Sequence, residues 1–315
     1  MTSDSTAGLP ASSAACAAAP ATVTIALIGY GEVGQLFGAQ LAALPGFRVR
    51  AHDILMAQPE PAARMARLAA KAGIATSPRF EDAVAGADVV FSAVTAAAAF
   101  TVAQRAGTLL RPGQLFVDLN SISPATRQRC AACFAGGAAY IEAAVMAPVA
   151  ALGLAVPMLL GAGAADAAAL QALMAPAGMA LTLHSTRIGA ASAVKMCRSV
   201  IIKGLEALVV ESMLCARHYG VEDTVLASLD ATFPAMAWQR QADYMVSRVL
   251  RHGRRRAAEM REAALTVRES GLAPLMAAAV AQRQDWLADR VDAGQVRCDE
   301  DQWRNAADAL DRADP

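Results

Sequence analysis

One stretch, Val23–Asp53 (VTIALIGYGEVGQLFGAQLAALPGFRVRAHD), constrains the chain more than any other. Its apolar, β-branched start (Val23, Ile25, Leu27, Ile28) reads as a buried strand. The strand runs into Gly29-x-Gly31-x-x-Gly34, an amphipathic helix follows to Leu44, and Pro45-Gly46 stops it before an alternating second strand, Phe47–His52. A strand, glycine turn, helix and strand within about thirty residues form the dinucleotide-binding βαβ unit. Gly29 serves the tight turn, Gly31 lets the backbone approach a pyrophosphate, and Gly34 lets helix and strand pack closely. The amides opening the helix then face the phosphate charge. Asp53 ends the second strand, where a carboxylate hydrogen-bonds adenosine ribose hydroxyls and repels a 2′-phosphate. The expected cofactor is therefore NAD, with NADP as the alternative. The turn residues Gly29, Tyr30, Gly31, Glu32, Val33 and Gly34, together with Asp53, are its candidate contacts.

At 315 residues the chain is long enough for two domains. Lys+Arg and Asp+Glu both number 28, a balance that calls for neither nucleic acid nor an anionic membrane surface. The hydrophobic share, 56%, is swollen by alanine, and no run of about 18 large apolar residues marks a membrane span. Among the scattered cysteines, Cys130-x-x-Cys133 lacks the second pair or the histidines that zinc needs, and reads as one face of a helix. His184, His218 and His252 have no metal-ligand spacing, so no metal site is expected. Residues 1–20 are rich in alanine and serine, with no basic or leucine-rich core of a signal peptide. They read as a disordered tail, and the cytoplasm is the expected compartment.

Strand and helix patterns alternate after Asp53. Helices are expected over Ala62–Ala72, Asp82–Ala85, Ala97–Leu110, Pro124–Phe134 and Ala164–Met174. Strands are expected at Ile74–Ala75, Asp88–Val94, Leu115–Leu119, Ala139–Val145, Val156–Gly161 and Ala180–His184. This order predicts an α/β Rossmann domain over residues 21–187, with a doubly wound, mostly parallel sheet. Val94 and Thr95 end one strand, so by the open-sheet rule they border the cofactor. From residue 188 the pattern is helical throughout: Ala190–Tyr219 as one long helix, then Asp223–Leu229, Trp238–His252, Arg255–Glu269 and Pro274–Arg290. An all-α C-terminal domain, 188–315, is expected, with substrate and oligomerisation roles, because long apolar helices need partners.

Lys195 lies in the first turns of the long helix among small and apolar neighbours, where desolvation lowers a lysine pKa towards the working pH. Ser199 and Glu206 share roughly its face. The residues alone leave two readings open, a base beside the nicotinamide and a lysine snorkelling at a domain boundary.

At these residues the sequence resembles a family. Gly29–Gly34, the loop Asp118-Leu-Asn-Ser-Ile-Ser-Pro124, the segment Tyr140–Gly161 and Gly189-x5-Lys195 occur in the order seen in the β-hydroxyacid dehydrogenases, the 3-hydroxyisobutyrate and 6-phosphogluconate dehydrogenase superfamily. The wording around Lys195-Met-Cys and Lys203-Gly-Leu-Glu206 is nearest to a bacterial branch with a distinct C-terminal domain. The resemblance implies a Rossmann domain followed by a helical one, a dimer or higher oligomer, and Lys195 taking the substrate hydroxyl proton while hydride passes to the nicotinamide. It also implies a substrate-contact loop at Asn120, Ser121 and Ser123, although Ser123 before Pro124 equally reads as a helix N-cap. Met146-Ala147-Pro148 replaces a serine and two glycines of the family, Ser199 replaces an asparagine, and Ala258, beside Glu259, replaces a lysine. The substrate wall at Met146 and Ser199 is therefore less polar.

The expected function is oxidation of a 3-hydroxy acid or related small anionic hydroxy compound. The rivals are an NAD(P)H-dependent imine or carbonyl reductase and a non-catalytic nucleotide sensor. Arg248, Arg251, Arg254, Arg255 and Arg256 read either as a solvated helix face balanced by nearby acids or as holding an arginine that reaches the substrate's anionic group.

Overall fold

The computed structural model describes residues 22–313; the tail expected at 1–20 lies outside the described residues. The first strand, β1 (Val23–Ile28), has its last four residues buried on both faces, which is why it reads as an unbroken apolar run. Helix α1 (Glu32–Ala42) returns the chain to β2 (Phe47–His52), and α2 (Pro59–Lys71) follows a 3-10 turn, Ile54–Ala57. Next come β3 (Ala75–Thr76), α3 (Phe80–Val84), β4 (Val89–Ser92), α4 (Ala96–Leu109), β5 (Leu115–Asp118), α5 (Pro124–Ala132) and β6 (Ala139–Val145). Then α6 (Val149–Leu152), β7 (Met158–Gly161), α7 (Ala164–Met174) and β8 (Leu181–Ser185) complete the sheet region.

The eight strands form one sheet in the order β3-β2-β1-β4-β5-β6-β7-β8. All neighbours are parallel except β6 and β7, so the expected doubly wound, mostly parallel sheet is what the chain forms. The exception has a local cause. The link from β6 to β7 contains only a four-residue helix and a 3-10 turn, and without a full crossover helix the chain returns antiparallel. The strand expected from Val156 starts at Met158, because Gly153–Ala155 winds as that 3-10 turn. One face of the sheet is covered by α1, α2 and α7 around Phe37, Leu41 and Leu170, the other by α3, α4 and α5 around Phe80, Ala103 and Cys130.

The helical part is α8 (Ala190–His218), α9 (Glu222–Thr232), α10 (Trp238–Glu269), α11 (Leu275–Asp292) and α12 (Trp303–Ala313). The break expected between Trp238–His252 and Arg255–Glu269 is present: the two segments meet as the arms of α10 at a kink, His252 (φ −134°, ψ 15°), beside which Gly253 packs against the Gln284 backbone and Ala288 of α11. Helix α12 was not expected; its burial rests on Trp303, Ala306, Ala307 and Leu310, spaced three and four apart in a charged segment. Val210, Val249, Leu287 and Trp303 form the core these helices share.

Candidate active site

The glycine turn after β1 has the steric form its spacing implies. Gly29 sits at φ +92°, and a Cβ there would lie 2.3 Å from the Ala93 carbonyl oxygen. A Cβ on Gly34 would lie 2.1 Å from the Gly29 carbonyl oxygen, so only glycine lets α1 start against β1. At Gly31, by contrast, a Cβ would meet nothing within 4 Å. The residues thus form an open backbone cradle at the amino end of α1, with Glu32 and Val33 in its first turn, and they fit a dinucleotide pyrophosphate. Tyr30 is different: its ring is 1% exposed in the core and its amide donates to Asp53 Oδ2 at 2.7 Å, so it supports the turn from below.

Asp53 ends β2 as expected, but its carboxylate also has structural partners, Tyr30 N–H and, at 2.9 Å, Leu55 N–H. Those bonds hold it at the carboxyl end of β2, beside the exposed Ile54.

Asn120 joins the loops after β4 and β5. Its Oδ1 accepts from Val94 N–H at 2.7 Å, and its Nδ2 donates to Ser92 Oγ at 3.0 Å and to Asp118 Oδ1 at 2.7 Å. The side chain is 3% exposed and both of its donors are used, so it shapes the Val94–Thr95 edge. Ser123 is likewise committed. It caps α5 by accepting from Thr126 N–H, and its hydroxyl donates to Glu269 Oε1 at 2.6 Å. Of the three loop residues, Ser121 alone is partly exposed and has no hydrogen-bond partner among the described residues.

Beneath this loop lies a buried ionic network. Arg127 of α5, 0% exposed, pairs with Asp118 Oδ1 at 2.8 Å and donates to the Asp118 and Asn120 carbonyls and to Ser192 Oγ. Glu142 of β6 accepts from Gly189 N–H at 2.6 Å and from Ser192 N–H, so a fully buried carboxylate caps the amino end of α8. Ser192 Oγ donates to the Ile122 carbonyl at 3.1 Å, tying the first turn of α8 to the loop after β5. One turn further on is Lys195, partly exposed and within the field of Arg127. Burial lowers its pKa to about 8; Glu259 opposes that shift, and Arg127, Lys203 and Arg255 add to it.

Ser199 and Glu206 divide. Ser199 is 7% exposed and accepts from Lys203 Nζ at 3.1 Å, and Lys203 in turn pairs with Glu259 Oε2 at 2.9 Å. Burial works to raise the Glu259 pKa, but Lys203, Lys195 and Arg255 together hold it below the ordinary carboxylate range. Glu206 turns away and is buried against Arg256 and Arg248. Met146 lies partly buried after β6, its amide donating to the Pro157 carbonyl at 2.9 Å.

Arg127, Glu142, Ser192, Lys203 and the Glu262–Glu269 pair of α10 were not among the residues singled out for the site. Only Glu142 carries a readable signal, a lone acid inside the apolar strand AYIEAAV. The others are ordinary helix-surface residue types, and their roles come from which helix they face.

Two family models match. Residues 24–121 match one described as NADP oxidoreductase, coenzyme F420-dependent, and residues 216–287 match a domain of unknown function. A conserved hypothetical protein from Sinorhizobium meliloti 1021 is 34% identical, with 92% of this chain and 96% of that one covered and a TM-score of 0.72. A conserved protein of unknown function, described as structurally similar to 3-hydroxyacid dehydrogenases, is 29% identical over 86% of this chain and 99% of that one, with a TM-score of 0.66. The 3-hydroxyisobutyrate dehydrogenase of Mycobacterium tuberculosis shares the fold at 20% identity and a TM-score of 0.68, covering 92% of this chain and 99% of that one.

Proposed function

Since the chain belongs to the β-hydroxyacid dehydrogenase superfamily, we propose that it oxidises a small hydroxy acid, with Lys195 as general base and NAD as cofactor. The observation that carries this reading is the placing of Lys195: a desolvated lysine on the first turns of α8, tied through Ser192 to the loop after β5. The carboxyl ends of parallel strands are where ligands of open α/β sheets bind.

When bound, the nicotinamide ring accepts hydride. The chain's own residues supply the rest. The open backbone at Gly31 and the first amides of α1 hold the diphosphate, and Asp53 holds the adenosine ribose. Asp53 would set its carboxylate against a 2′-phosphate, which favours NAD. Neutral Lys195 Nζ takes the proton from the substrate hydroxyl as the carbinol carbon loses hydride, and Ser121 offers the loop's unengaged hydroxyl to the acid. Burial above all, with Arg127 adding to it, disfavours the ammonium and keeps much of Lys195 neutral near pH 8.

The apolar wall at Met146 supports a second reading, reduction of an imine or a carbonyl. A non-catalytic sensor is disfavoured by the retained Lys195. We also infer a homodimer or higher oligomer, built on the apolar face that α8 leaves uncovered.

A panel of hydroxy acids with NAD and NADP, run on wild type and Lys195→Ala, tests the reading. The expected outcome is turnover of at least one acid, preferentially with NAD, and a loss of roughly two to four decades in the variant with NADH binding kept. Turnover of cyclic imines alone would select the reductase, and NADH binding without any turnover would select the sensor.

A further inference from the structure

Five arginines occupy residues 248–256 of α10, and four of them have partners. Arg248 lies 3.8 Å from Glu206 Oε1 and against the Tyr244 ring, Arg251 pairs with Asp301, and Arg254 reaches Asp289 at 2.5 Å and Asp292 at 2.6 Å. Arg256 is buried on Glu206. Arg255 is exposed and has no hydrogen bond or ion pair with any described residue.

Its place is set by the helix it stands on. His252 stands at the kink, and beyond it Arg255, Glu259, Glu262 and Glu269 follow at steps of four, three and seven, which puts those four on one face. The kink and the far end of that face are anchored at different places on the sheet. His252 is close enough to Glu32, at the start of α1, to feel its charge. Glu262 accepts from Ser123 N–H at 2.9 Å, and Glu269 binds Ser123 Oγ and Ala125 N–H at the start of α5. Because β1, β4 and β5 are adjacent in the sheet, α10 crosses their carboxyl ends from the glycine turn to α5, packing against α4 on the way. Arg255 stands one turn from the His252 end of that crossing and one turn before Glu259. One turn on, Glu259 meets Lys203 and the field of Lys195.

The rest of the cleft supplies the chemical reason for a cation here. Both donors of Asn120 are committed, the Ser123 hydroxyl is committed to Glu269, and Met146 has no side-chain donor. Around Glu259 stand Lys195, Lys203 and Arg255, and of these only Lys203 is ion-paired with it. We propose that Arg255 is the specificity residue of the cleft, holding the carboxylate of an anionic substrate through its guanidinium fork while Lys195 faces the hydroxyl. The proposal rests on the dehydrogenase reading for its chemistry but is testable without turnover.

The probe is malonate, a three-carbon dianion, titrated calorimetrically into the NADH-loaded protein. Wild type should bind it saturably. Arg255→Met should weaken malonate about tenfold or more while NADH affinity stays within about twofold, and Arg255→Lys, which keeps the charge and loses the fork, should fall between. Unchanged malonate affinity in Arg255→Met overturns the proposal, as does wild type that takes up no malonate. An equal loss of NADH affinity assigns Arg255 to the cofactor phosphates and overturns it too. Malonate binding that depends on Arg255, in a protein that oxidises no hydroxy acid, upholds this proposal and sinks the dehydrogenase reading. Turnover with malonate binding indifferent to Arg255 does the reverse.

Discussion

At Lys195, four charged groups act on one amine, and their signs yield a testable pH dependence. Burial, Arg127, Lys203 and Arg255 favour the neutral form, while Glu259 favours the charged one, and the balance falls at about 8. The base must be neutral to take a proton, so oxidation should rise with pH through about 8 and level off above it, and the reverse reaction should fall over the same range. Glu259→Gln removes the one group that stabilises the ammonium, so the limb should move to lower pH. A limb that stays in place or moves up would refute the arrangement. Lys195 itself was legible in the sequence from its neighbours and the Gly189-x5-Lys195 motif. The commitment of Asn120 and Ser123 to internal partners was not, because Val94, Ser92 and Glu269 lie far from them along the chain.

At the scale of elements, α8 is aimed by its first turn. Twenty-nine residues without proline make it a helix, but its starting angle against the sheet depends on Glu142, whose two oxygens take the Gly189 and Ser192 amides. Glu142→Ala would leave those amides unpaired and strip Arg127 of a neighbouring carboxylate 4.0 Å away. A loss of about 3 kcal/mol in urea unfolding is expected. Glu142→Gln, which keeps an acceptor, should lose less, and equal losses would show that the cap is not the cause. The kink in α10 was legible: the boundary read between His252 and Arg255 is where His252 leaves helical geometry, and Gly253 beside it lies close against α11.

For the whole molecule, the unfinished surface is the outer face of α8. Ile201 is 70% exposed and Leu208 57%, and Leu208 borders an apolar groove continued by Leu205, Leu226 and Trp238. A second copy of the chain would cover it, so wild type should sediment as a dimer or larger. Ile201→Glu with Leu208→Glu should then yield a folded monomer by sedimentation and circular dichroism. A monomeric wild type would remove the oligomer proposal. Among the described residues no helix is long and apolar enough to cross a membrane.

The sequence by itself determined the order of strands and helices, the glycine turn and the change to helices after the sheet, because periodicity and turn residues act over a few neighbours. Tertiary packing decided that Glu142 caps α8. It also decided that four of the five arginines at 248–256 are paired with acids while Arg255 has no ion pair among the described residues. Those outcomes depend on which groups meet across tens of residues of chain, as in Arg256 with Glu206 or Gly189 with Glu142, and no local pattern encodes such meetings.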